Sequence, residues 1–209
     1  MLDRSRGVKM RIGIFCDAVN PITNAHLTMI EAAKLQMKLD FVYIFPSNIV
    51  PAKDQETIAP TSDRISMAKK AVFWHAEVVV RNNNDNPHII DTINNMNKEF
   101  PQDELFLIVG AETLLRIDEL YDFKSILKKV TIVAFSYETD ENLWRQVLYL
   151  THSYSARITL LDSFVPDISD TVVRRLIKEG KSFRYLVPDS VRNYIVEHKL
   201  YGYRDGNDD

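Results

Sequence analysis

Six short apolar runs, separated by segments with helical spacing, constrain this chain more than any other feature. The runs are Met10–Phe15, Phe41–Phe45, Val78–Val80, Leu105–Gly110, Val130–Phe135 and Arg157–Leu161. From Thr23 to Lys38 the apolar residues Leu27, Ile30, Ala33, Leu35 and Met37 recur as on a helix, and Thr61–Val72 and Ile89–Met96 carry similar patterns. Two further helices are predicted over Ser169–Lys178 and Pro188–His198. Continuous apolar strands alternating with helices need cover on both faces, which a doubly wound parallel sheet supplies. No linker-like tract and no repeat interrupts the pattern. The expectation is one α/β domain over residues 1–209, with a core of about 9–203 and short flexible tails. Ligands of such sheets gather beyond the carboxyl ends of the strands, where connections diverge. That rule singles out Cys16–His26, Pro46–Lys53, Gly110–Tyr121 and Pro166–Arg174.

Composition narrows the ligand. With 26 Lys and Arg against 29 Asp and Glu, the net charge of −3 provides no global positive field, so a nucleic-acid partner is not expected. No run approaches the roughly 18 apolar residues of a membrane span, and the first residues lack the apolar core of a secretory signal. Together with a single cysteine, Cys16, this predicts a cytoplasmic setting without disulfides. The five histidines share no ligand spacing, so no protein-built metal site is expected. Six glycines are too few and too scattered for a Walker loop or a GxGxxG turn. Any anion must be held by local groups. A homo-oligomer is left open.

Two segments offer such groups. In Phe15–His26, Thr23 is placed to cap the first helix, which puts His26 at its third position on the same edge of the first turn. Free N–H groups and the positive end of the helix dipole favour a phosphate there. The plainer alternative is that Thr23 only caps and His26 is a surface residue. In Pro166–Arg175, Ser169 or Asp170 caps a helix, and Thr171 and Arg174 follow at i,i+3 spacing as hydroxyl and cation. An ordinary capped amphipathic helix accounts for the same residues. Cys16 close to His26 suggests a thiol nucleophile only weakly, because no third orienting group is evident.

These residues resemble known signatures. Asn20–His26 resembles the (H/T)xGH motif of nucleotidyltransferases, and Ile168–Arg174 resembles their ISSTxIR motif. Phe45–Lys53 is similar to a strand-two loop ending Pro-Pro-His-Lys, and Ile108–Leu114 to an IxGAD-x-L segment. Gly180–Asp189, continuing through Tyr194 to Tyr201, follows the C-terminal pattern of the nicotinate mononucleotide adenylyltransferase family. The resemblance spans roughly Arg11 to Tyr201 with the motifs in order. It implies a Rossmann-like nucleotidyltransferase fold and attack of a mononucleotide 5′-phosphate on the α-phosphorus of ATP, with magnesium on the triphosphate and pyrophosphate as leaving group. It implies small-molecule nucleotides as partners. By position, His26 and Thr23 become the catalytic pair at the α-phosphate. Ser169, Thr171 and Arg174 hold the β and γ groups, Lys53 adds a cation, and Phe15 and Gly110 border the adenosine. Asp17, Ile89, Leu120 and Tyr121 fall on the acceptor side.

The chain departs from the pattern inside the site. Cys16 and Asp17 stand where the family has paired glycines, Ala25 replaces the signature glycine, and Asp170 replaces the second serine of ISSTxIR. Ala52 takes the place of a histidine, Pro87-His88-Ile89 that of Ser-Tyr-Thr, and Leu120 that of an aromatic expected to stack on pyridine. A carboxylate about 5 Å from a phosphate charge costs roughly 3 kcal/mol at an effective dielectric near 20, about a hundredfold in affinity. Two readings follow. One is an adenylyltransferase, for the pyridine mononucleotide or another phosphorylated acceptor; the other is a nucleotide-binding or interaction protein on the same fold that catalyses little.

Overall fold

The computed structural model of the protein describes residues 9–47, 58–82, 88–135, 141–161 and 165–204. Six strands, β1 (Arg11–Asp17), β2 (Phe41–Pro46), β3 (Val78–Val80), β4 (Glu104–Val109), β5 (Thr131–Phe135) and β6 (Arg157–Leu161), form one parallel sheet in the order β3-β2-β1-β4-β5-β6. The helices are α1 (Asn24–Gln36), α2 (Thr61–Ala71), α3 (Ile89–Glu99), α4 (Ala111–Leu115), α5 (Phe123–Lys129), α6 (Glu141–Tyr154), α7 (Asp170–Lys178) and α8 (Asp189–Glu197). All six expected strands are present. Strand β1 runs two residues further than expected, because Cys16 and Asp17 continue its register against Phe45 and Pro46. Helices α4, α5 and α6 were not among the sequence expectations.

Alternation along the strands divides the core in two. Phe15, Val42, Ile44, Phe106, Ile108 and Val133 face a layer built from α1, α2, α7 and α8. Ile12, Ile14, Tyr43, Leu105, Leu107 and Ile132 face the opposite layer of α3 to α6. Gly13 lies on the first of these faces, where a Cβ would come within 2.9 Å of Leu39 and 3.1 Å of Ile108. The chain thus approaches itself there more closely than any side chain permits.

The strand order fixes where a ligand can enter. Connections from β1 run to one side of the sheet and those from β4 to the other, so the carboxyl ends of β1 and β4 flank a crevice. Asp17 ends β1 and Gly110 follows β4. The amino ends of α1 and α4 open at this edge.

Candidate active site

Helix α1 begins with a reciprocal cap. The His26 N–H donates to Thr23 Oγ1 at 3.4 Å, and the Thr23 N–H donates to His26 Nδ1 at 3.1 Å. Both expected positions hold: Thr23 caps and His26 is the third helical residue. Because Nδ1 accepts, the proton of the neutral imidazole resides on Nε2. Nε2 faces Asp17 Oδ1 at 3.9 Å, beyond hydrogen-bond length. The His26 side chain is 13% exposed and rests on the Phe15 ring, 5.8 Å between centroids. It is a held, inward-facing donor and not the surface residue of the plainer alternative. Thr23 is fully buried: its hydroxyl caps the His26 backbone N–H, while its own backbone N–H holds the imidazole. Phe15 is buried as well, and its ring backs His26.

Helix α7 meets α1 through the loop between β1 and α1. Ser169 is the cap, accepting from the Val172 N–H at 3.2 Å. Arg174 is 6% exposed, and its Nη1 donates to the Asn20 carbonyl at 2.7 Å and pairs with Asp170 Oδ2 at 3.1 Å. Its Nη2 donates to Thr171 Oγ1 at 3.1 Å. The Asn20 N–H in turn donates to Asp170 Oδ2 at 3.3 Å. Burial, then the charge of Asp17, pushes the Asp170 carboxyl above its ordinary value, against the opposing pull of Arg174 and His26. Arg174, the cation expected to meet phosphate, thus lies beside the loop after β1 and is engaged by the Asp170 carboxylate.

Two residues that organise this region, Asn20 and Arg64, have no role assigned from the sequence. Asn20 is buried, and its Oδ1 accepts from the Ala59 N–H at 3.0 Å and from the Tyr201 hydroxyl at 2.9 Å. Arg64 is buried in α2 and donates to the carbonyls of Ala18 (2.7 Å), Ser47 (2.6 Å) and Ala59 (3.1 Å). It ties the loop after β1 to the end of β2. The one available signal was a charged residue on the apolar face of α2, in line with Met67 and Ala68.

On the acceptor side, Ile89 opens α3 and packs with Leu120 on the second core. Tyr121, 65% exposed, lies stacked on His88 with centroids 4.3 Å apart. The structure thus brings Ile89, Leu120 and Tyr121 to one lip. Gly110 caps α4, and a Cβ there would meet nothing nearer than Met29 at 4.0 Å. Lys53 and Ala52 lie outside the described residues. Cys16 makes no nucleophile: burial pushes its thiol up to about 12, with the charge of Asp17 adding to the effect. Among the described residues no three His, Cys, Asp or Glu side chains gather as metal ligands, and no helix is long and apolar enough to cross a membrane.

A parallel sheet whose strand order reverses beside the capped start of α1 defines a Rossmann-like fold with a ligand crevice at its switch point. The cytidylyltransferase-like family model matches residues 14–176. The protein of Carboxydothermus hydrogenoformans named "Probable nicotinate-nucleotide adenylyltransferase" is 34% identical, over 91% of this chain and 98% of its own. That of Caldicellulosiruptor saccharolyticus, with the same name, is 32% identical, over 92% and 99%. The nicotinic acid mononucleotide adenylyltransferase of Plasmodium falciparum, solved in complex with NaAD, has the same fold: TM-score 0.76 at 12% identity, over 93% of this chain and 98% of that one. This chain belongs to the nicotinate-nucleotide adenylyltransferase family.

Proposed function

We propose that the protein transfers the adenylyl group of ATP to the 5′-phosphate of nicotinate or nicotinamide mononucleotide, forming a dinucleotide for NAD biosynthesis. An acceptor phosphate oxygen attacks the α-phosphorus in line. The bond from that phosphorus to the bridging oxygen breaks, and pyrophosphate leaves with the electron pair. The carrying observation is the His26 Nε2 donor, set by the reciprocal cap with Thr23 at the start of α1. It supports placing charge stabilisation at the α-phosphate, where positioning and electrostatics supply most of the catalysis in phosphoryl transfer.

The other roles follow from place. Ser169, Thr171 and Arg174 receive the β and γ groups, and Lys53 adds charge. Gly110 and the backbone of Phe15 border the adenosine, and Asp17 stands between the phosphate and acceptor sides. Ile89, Leu120 and Tyr121 contact the acceptor ring. Magnesium carried on the triphosphate would neutralise part of its charge. The reaction's small-molecule substrates are those of the cytoplasm, where we place the protein.

One observation favours a weaker binder as the second reading: Asp170 stands at the phosphate side within reach of the Asp17 charge, and like charge there opposes the nucleotide. Incubating the protein with ATP, magnesium and a panel of mononucleotides and phosphopantetheine separates the two. The expected result is pyrophosphate release with a pyridine mononucleotide and a product of dinucleotide mass. Release with phosphopantetheine alone would reassign the acceptor. Silence across the panel from folded protein would leave the weaker binder as the reading.

A further inference from the structure

The half-buried carboxylate of Asp170 has a position that adenylyl transfer does not by itself require. Its side chain is 21% exposed, against 6% for Arg174, and the two pair at 3.1 Å across one turn of α7. The Asn20 N–H at 3.3 Å and the Thr171 hydroxyl at 3.4 Å complete its surroundings. The charged and titratable groups facing it are Asp17 from β1, His26 from α1, Arg174 on its own helix, and Tyr201 from the C-terminal turn. In the free protein the Arg174 guanidinium is thus paired with the Asp170 carboxylate, which itself feels the charge of Asp17.

A polyphosphate docking on Arg174 changes this balance. It brings two or more negative charges to a cation that Asp170 already neutralises, in surroundings where burial and Asp17 work against a further anion. Displacing Asp170 from the guanidinium would leave a largely enclosed carboxylate with only the Asn20 N–H and the Thr171 hydroxyl to offset its charge, beside Asp17 and the incoming anion, which is costly. Accepting a proton from solvent removes that charge and leaves the hydroxyl of the acid free to donate a hydrogen bond.

The geometry points to proton-linked nucleotide binding: Asp170 holds Arg174 in the free protein and takes up one proton when a polyphosphate replaces it as the partner of that guanidinium. The inference rests on the ATP reading given above. Its direction is set by the free state, in which the carboxyl already binds protons more readily than an ordinary aspartate. Adding a phosphate anion raises that tendency further. Binding therefore weakens as pH rises through the window between the two states, by at most about tenfold per pH unit for one linked proton. The proton returns to solvent when pyrophosphate leaves.

Calorimetric titration of MgATP without acceptor tests this, in steps from pH 4.5 to pH 8 and in buffers of different ionisation enthalpy. The wild type should bind more weakly at pH 8 and show net proton uptake. Asp170→Asn should bind about tenfold or more tighter than wild type at pH 8, with the uptake lost. Should that variant not fold, Asp170→Ser provides the same comparison, and the absence of uptake by the wild type is alone sufficient to overturn the idea. Uptake that survives in Asp170→Asn would belong to His26 or Asp17 and would also overturn it, while leaving the ATP reading intact. No binding by any form at any of these pH values would overturn both.

Discussion

At the scale of single residues the site is a set of small, separable jobs. His26 is expected to contribute at the transition state, so His26→Ala should lower kcat about a hundredfold or more. Loss of the reciprocal cap should cost only about 1 kcal/mol of stability, so a thermal melt run beside the kinetics tells lost chemistry from lost fold. Unchanged turnover would remove His26 from the mechanism. Gly110 has the opposite profile. A Cβ there meets open space in the free protein, so Gly110→Ala should melt like wild type yet raise the KM for ATP several-fold. A melt lowered by that change would show that the glycine serves the fold instead. Cys16, with its thiol pushed up to about 12, should resist iodoacetamide at pH 8 until the protein is unfolded, as read by intact mass. Thr23 and His26 were legible in sequence because a helix cap is local. Asn20 was not: its partners Ala59, Asp170, Arg174 and Tyr201 lie 39 to 181 residues away.

Among elements, α2 carries the least visible task. It reads as one more covering helix, yet Arg64 passes through its buried face to three loop carbonyls. Arg64→Met retains the volume and removes the donors, leaving buried carbonyls without that partner. Stability should fall by about 3 kcal/mol or more, measured by urea unfolding. A loss under about 1 kcal/mol would mean that the loops hold themselves. Gly13→Ala in β1 should cost about 1–3 kcal/mol through crowding against Leu39, Val42 and Ile108. The strands were easy to read because a strand buried on both faces is a continuous apolar run. Helix α6 was passed over although Leu143 and Leu150 mark its buried side, because Trp144, Leu148 and Tyr149 remain exposed and blur the stripe. Helices α4 and α5 span only five and seven residues, too few turns for a period to declare itself.

Taken whole, the molecule carries its acid–base behaviour where its two halves join. The Asp170 carboxyl sits above its ordinary value of about 4. The native state thus holds that proton more tightly than the unfolded chain. The associated stability is complete below about pH 4 and is lost as pH rises through the raised value. Comparing Asp170→Asn with wild type by thermal melts, the difference should move in the variant's favour between pH 4 and pH 8. A constant difference would show that the carboxyl titrates normally. The six-stranded frame was readable in advance because repeated local patterns sum to one topology; the closure of the site was not, because it depends on which distant turns come to touch. That closure also has an order in time. A ribosome finishes the last strand at Leu161, so every strand of the sheet exists before Asp170, Arg174 or Tyr201 has been made. Asn20, made directly after the first strand, waits for all three. The newborn chain therefore has every segment of its sheet before it has the residues that close around Asn20, so the frame precedes the closure in order of synthesis.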